Sequence, residues 1–200
     1  MGKIAQELLA ETRDFLAAQG EPVRGFLAGL DWDMDERQLA PAPLTCLRHL
    51  DRCAAIAGDS VEPMARLLAE RGARLAWGQT YGPADFGQAF VDNYGWIELF
   101  GTRGHFVNET VAAGFLLLGP NTHYPDHHHV AEEIYIPLTA GALWRKGDGD
   151  YAPRADGEII HHPSNVNHAM KTRETPLLAL YLWRGGPLAA RSTVTGTAES

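Results

Sequence analysis

His123-Tyr-Pro-Asp-His-His-His-Val-Ala-Glu-Glu-Ile-Tyr-Ile-Pro137 is the stretch on which the reading of this chain turns. Clustered histidines are followed by two glutamates, all side chains that bind metals strongly. In an extended segment, residues two apart share a face. His127 and His129 therefore present two imidazoles to one site, and His128 points away. Glu133 follows a short bend and returns a carboxylate to the same pocket. From there Glu133-Ile-Tyr-Ile-Pro alternates, which sets Tyr135 on the Glu133 face with Ile134 and Ile136 packed behind. A fourth ligand comes from His168, at the end of Gly157-Glu-Ile-Ile-His-His-Pro-Ser-Asn-Val-Asn-His168. Three imidazoles and one carboxylate suit Zn, Fe, Mn, Co or Ni alike, and open positions leave room for catalysis. A histidine run by itself can be a surface tract. Ligands drawn from two separate strand-like segments argue for a built site.

His127-x-His129-x3-Glu133 resembles the first metal motif of the cupin superfamily, and Gly157-x5-Pro163-x-Asn165-x2-His168 resembles the second. Two positions depart from the second pattern: Asn165 stands where glycine is usual, and Thr172 where the motif ends in asparagine. Within cupins, Tyr124, the run Glu132-Glu-Ile-Tyr-Ile-Pro-Leu138 and the late Tyr181-Leu-Trp183 resemble bacterial dimethylsulfoniopropionate lyases of the DddQ type. The resemblance implies a mostly β chain, a cupin double-stranded β-helix (jelly-roll) barrel behind an α-helical N-terminal segment. It also implies one divalent transition-metal ion on His127, His129, Glu133 and His168. The implied reaction is β-elimination of dimethylsulfoniopropionate to dimethyl sulfide and acrylate, with a small-molecule sulfonium as partner.

Tyr135 is the expected general base, and Tyr124 orients the substrate or assists. An ordinary tyrosine, with a pKa of about 10, is a poor base at neutral pH. A nearby dication favours phenolate and brings that value down. A sulfonium also favours aromatic faces, for which Trp183 and Tyr181 are the candidates. Two other readings stay open on the sequence. A cupin dioxygenase using Fe(II) has the same ligands and consumes oxygen, whereas a non-catalytic metal- or small-molecule-binding cupin holds metal without turnover.

The 200 residues are 45% hydrophobic, enough for one packed structural unit. We divide them into a helical segment, 1–72, and the barrel, 73–200. Net charge is −8 from 17 basic and 25 acidic residues. The first 72 residues are acidic as well, so no basic stripe points to nucleic acid. No apolar run is long enough to span a bilayer, and Met1-Gly-Lys-Ile-Ala-Gln lacks the apolar core of a signal peptide. The expectation is a cytoplasmic protein, with a homodimer face left open. Cys46 and Cys53, seven apart in a helical pattern, read as core thiols rather than a disulfide.

Ile4, Leu8, Phe15 and Leu16 mark a helix over residues 3–19, ended by Gly20. A second helix is expected over 44–57. A third runs to Arg71, with Asp59 and Glu62 forming a capping box and Pro63 in its first turn. From Arg74 the period changes towards two. Strands are expected over 74–81, 94–100, 109–118, 132–138, 142–145, 158–161, 168–172 and 177–183, and the tail from Thr193 as disordered. His123, His161 and His162 read as solvated or core residues, or as groups behind the ligands, and His105 has no assigned place.

Overall fold

The computed structural model describes residues 2–196. Helices come first: α1 (Gly2–Ala17), α2 (Val23–Phe26), α3 (Leu50–Ile56), α4 (Glu62–Arg71) and α5 (Pro83–Val91), with 3-10 turns at Thr45–His49 and Gly72–Arg74. The strands follow as β1 (Tyr94–Gly101), β2 (Phe106–Val107), β3 (Val111–Leu118), β4 (His123–His128), β5 (Glu132–Pro137) and β6 (Leu143–Lys146). They continue with β7 (Ala152–Pro153), β8 (Ile160–His162), β9 (His168–Lys171), β10 (Leu177–Arg184) and β11 (Thr193–Val194). They build one sheet in the order β2-β1-β3-β10-β5-β8 and a second in the order β11-β4-β9-β6-β7. This is the mostly β, two-sheet architecture expected for the cupin jelly roll.

Alternation along the strands separates two cores. Ile97, Leu99, Phe115, Leu117, Ile134, Ile136, Leu178, Leu180 and Leu182 face outward and pack with Ile4, Leu8, Leu16, Met64 and Leu68 of the helices. Each such fully buried aliphatic side chain contributes roughly 1.5–3 kcal/mol relative to exposure. The alternate residues turn into the space between the sheets, where Tyr94, Leu116, Tyr124, Tyr135, Trp144 and Met170 meet. Helices thus cover the outer face of the six-stranded sheet and leave the inner face for chemistry.

Seven of the expected strands lie where alternation puts them, to within a few residues. The stretch 74–81 is different: Ala76 and Gly78 make only isolated bridges, to Ala42 and Trp96. The helix expected over 44–57 begins as the 3-10 turn and becomes α-helical only at Leu50. No capping box forms at Asp59. Val61 occupies the cap position of α4, and the backbone N–H groups of Val61 and Glu62 both donate to Gly58 O, at 3.0 and 2.9 Å. α1 stops at Ala17, three residues before Gly20, as Ala18 N and Gln19 N close its last turn on Phe15 O and Leu16 O. α5 was not expected. Its start is held by Asp85, whose carboxylate accepts from Gly82 N at 2.8 Å. The tail is ordered through Gly196 in part by β11, which pairs Thr193 with His128 and Val194 with His127; the rest of it lies outside the described residues. Cys46 and Cys53 are buried free thiols. Asn165 adopts φ +59°, a left-handed conformation that asparagine tolerates far better than most residues. That conformation accounts for the glycine usual at this position of the motif.

Candidate active site

β4 and β9 pair antiparallel with His127 opposite His168. The register shifts between Tyr124 and His127, so these two residues, three apart, come to one face. Their rings stack at 4.1 Å with 7° between planes. His129 lies just beyond the end of β4. Glu133 enters from β5 in the other sheet, so the site bridges the two sheets. His127, His129, Glu133 and His168 are all buried. His128 points away, as alternation requires, and meets Asn167 Oδ1 at 2.9 Å.

The three inward histidines share one device. His127 Nδ1 lies 2.8 Å from Pro125 O, His129 Nδ1 2.8 Å from Ala131 O, and His168 Nδ1 3.0 Å from Val166 O. A carbonyl only accepts, so each Nδ1 carries a proton, and each ring in its neutral form turns an Nε2 lone pair the other way. His129 Nε2 and His168 Nε2 come to 3.0 and 3.1 Å from the same oxygen, Glu133 Oε2. Two lone pairs converging on a carboxylate repel unless positive charge sits among them. The ligand atoms of His129, Glu133 and His168 lie within 4.8 Å of one another, and buried His168 Nε2 has no hydrogen-bond partner among the described residues. This donor set fits a divalent transition-metal ion. His127 stands beside the compact trio, its ring 4.1 Å from that of His168 and 6.4 Å from that of His129.

Charges in the site respond to one another. Burial drives the Glu133 carboxyl upward, but the neighbouring His129 imidazole, with His168 beside it, outweighs that and holds the group well below the usual carboxylate range. Burial pushes His129 down, and Glu133 reverses the sign, leaving that imidazole raised. Burial, with His168 adding to it, holds His127 well below the ordinary imidazole value. Tyr135 is pushed well above the usual tyrosine value by burial and then by the charge and hydrogen bond of Glu133. Burial and then Tyr94 and Tyr81 do the same to Tyr124. Neither phenol ionises here without added positive charge.

A model of the dimethylsulfoniopropionate lyase family matches residues 26–179. The chain belongs to this family. It is 32% identical over 186 residues to dimethylsulfoniopropionate lyase DddQ of Ruegeria pomeroyi, covering 90% of this chain and 89% of that one. It is 34% identical over 155 residues to the putative dimethylsulfoniopropionate lyase DddL of Cereibacter sphaeroides, covering 76% of this chain and 63% of that one. The crystal structure of Ruegeria pomeroyi DddQ superposes with a TM-score of 0.89 at 26% identity, over 98% of each chain. A chain from the crystal structures of the lyases RdDddP and RnDddQII gives 0.89 at 30%, over 96% of this chain and 98% of that one.

Within this family fold, a cavity of about 80 Å³ opens beside Glu133, Tyr124, Tyr135, Tyr181 and Trp183. Trp183 does more than offer an aromatic face. Its Nε1 donates to Glu133 Oε1 at 2.6 Å, and its ring lies 4.0 Å from His129. The Tyr181 hydroxyl donates to Ile97 O at 3.3 Å while the ring lines the cavity. The Tyr124 hydroxyl donates to that of Tyr81 at 3.2 Å.

The remaining histidines separate. His123 meets the Tyr151 hydroxyl at 3.0 Å, His161 meets Glu132 at 2.6 Å, and His105 Nε2 accepts from Ala76 N at 3.3 Å. His162 is buried and stacks on His168 at 4.2 Å, bringing it closer to the site than its sequence position suggested. Among the lining residues not singled out in the sequence are Glu98 and Arg103. The available signal was a charged residue at an inward position of the apolar run Tyr94-Gly-Trp-Ile-Glu-Leu-Phe100.

Proposed function

We propose that this chain is a metal-dependent carbon–sulfur lyase. It splits dimethylsulfoniopropionate by β-elimination, with Tyr135 as the base and one divalent transition-metal ion held by His129, Glu133 and His168, with His127 adjoining. One observation carries the reading: two imidazole Nε2 atoms converge on Glu133 Oε2, and Tyr135, two residues along β5, lines the same cavity as that carboxylate. The bound ion supplies positive charge, which offsets the burial that otherwise keeps Tyr135 protonated and polarises a substrate carboxylate.

The residues do the rest. Tyr135 Oη takes the proton alpha to the carboxylate. The C–H electron pair becomes the new carbon–carbon double bond, and the carbon–sulfur pair leaves with sulfur, giving acrylate and neutral dimethyl sulfide. Tyr124, stacked on His127 and bonded to Tyr81, holds the wall of the cavity opposite the base. Trp183 and Tyr181 face the sulfonium end, and the aromatic lining keeps water from competing. Residues 1–72 and 73–200 act as one structural unit, supported by the core that helices and sheet share.

Headspace dimethyl sulfide from the purified, metal-loaded protein given dimethylsulfoniopropionate tests the assignment. Release should proceed equally under argon. Metal uptake with no release would make the chain a binding protein, and oxygen-dependent consumption of substrate would make it a dioxygenase.

A further inference from the structure

Glu98 is a buried carboxylate with no place in the chemistry above. It sits on the inner face of β1 and lines the same cavity as Glu133 and Tyr135. The ladders set Glu98 opposite Gly114, Gly114 opposite Tyr181, and Tyr181 opposite Tyr135, so the four form one row across β1, β3, β10 and β5. Gly114 is bare by necessity, because a Cβ there would lie 1.8 Å from Ile97 O. With no side chain in that position, nothing from β3 stands in the row between Glu98 and Tyr181.

We propose that Glu98 is the anionic subsite for the cationic end of the substrate, and hence a specificity-determining residue. The inference rests on the lyase reading of the site. With the substrate carboxylate at the His129–Glu133–His168 centre and its alpha carbon at Tyr135, the sulfonium, two bonds from that carbon, is directed along the row towards Tyr181 and Glu98. Among the described residues, two carboxylates line the cavity. Glu133 is committed to His129, His168 and Trp183, which leaves Glu98. Arg103 orients it: the backbone N donates to Oε1 at 2.6 Å, and Nε and Nη2 donate to Oε2 at 3.3 and 3.2 Å. The two charges do not cancel inside the cavity. The Arg103 side chain is 45% exposed and lies 5.0 Å over Trp96, where solvent screens it, whereas the Glu98 side chain is 3% exposed and acts through low dielectric.

Elimination turns the sulfonium into a neutral sulfide, so the attraction to Glu98 is strongest in the bound substrate and fades along the reaction. Its removal should therefore raise KM more than it lowers kcat.

Binding of two inert shape-matched carboxylates separates charge from shape: the zwitterion 3-(trimethylammonio)propanoate, and its anionic carbon isostere 4,4-dimethylpentanoate. Calorimetry on the metal-loaded protein should show the wild type preferring the ammonio compound. Glu98→Gln should narrow that preference by roughly tenfold, the scale of one partly screened charge pair. Arg103→Gln should widen it, and it decides the matter if the Glu98→Gln variant does not fold. An unchanged preference in folded Glu98→Gln, or an unchanged or narrowed one in Arg103→Gln, overturns the assignment. Dimethyl sulfide release by the wild type is measured alongside. Release with a Glu98-independent preference sinks this inference alone, whereas no release with a Glu98-dependent preference sinks the lyase reading and leaves the cation subsite standing.

Discussion

Trp183 Nε1 donates to Glu133 Oε1 at 2.6 Å, and the two residues are direct partners in the ladder between β10 and β5. The carboxylate is thereby divided: Oε1 is fixed by the indole, and Oε2 is left to face His129 and His168. Partners of this kind behind a ligand typically govern metal affinity by about 10–100-fold. Trp183→Phe keeps a flat ring against His129 and removes only the donor. Metal affinity, read by competition with a chromophoric chelator, should fall by about tenfold or more. Affinity equal to the parent would show that the indole hydrogen bond does not orient Glu133.

Metal binding should also appear as stability. The converging Nε2 lone pairs and the buried Glu133 carboxylate are mutually unfavourable without a cation, and the unfolded chain has no such site. Ligand at about 100 times its Kd stabilises by about 2.7 kcal/mol, and for a chain of this size each kcal/mol moves Tm by roughly 2–4 °C. Zinc should therefore raise Tm by roughly 5–10 °C, reversibly with chelator, and His168→Ala should abolish the shift. An equal shift in His168→Ala would place the ion elsewhere.

Much of this site was legible because its rules are local. Strand alternation puts His127 and His129 on one side, and Glu133 and Tyr135 on the next strand, without knowledge of the partners. His168 was found because it ends a motif. Arg103 was not, because it lies in the bend after β1, and Glu98 was not, because a single charged residue in a strand does not announce which face it takes. That face depends on a ladder set by distant residues, such as Gly114 and Tyr181. Tyr124 joined His127 by a bulge, which breaks the two-residue period on which the reading relied. The missed α5 has only nine residues and a kink at Gly87, φ +80°, so it offers little periodicity. β11 is two residues long and exists only through its pairing with β4.

Cys46 and Cys53 give a prediction for alkaline pH that is independent of the metal. Burial pushes both thiols up to about 12. A raised folded value means that the unfolded chain loses its protons first. Stability is therefore full below the unfolded value near 9 and declines as pH rises from there towards 12. Each thiol costs at most about 1.4 kcal/mol per pH unit in that window. Urea unfolding at about pH 8 and about pH 10.5, on either side of the unfolded thiol value, should show the decline, and Cys53→Ala should make it shallower. A decline identical in Cys53→Ala would assign it to other groups, the buried tyrosines first among them.

Tyr135 carries the central claim, and replacing its hydroxyl tests that claim most directly. Tyr135→Phe preserves the ring against Trp144, 5.1 Å away, and leaves His129, Glu133 and His168 in place. Fold and metal content should survive, and the rate of dimethyl sulfide release should fall by about two orders of magnitude or more, the scale of a lost general base. Tyr124→Phe removes only the hydrogen bond to Tyr81 and should cost less. A metal-loaded Tyr135→Phe protein that releases dimethyl sulfide at the parent rate would contradict the account.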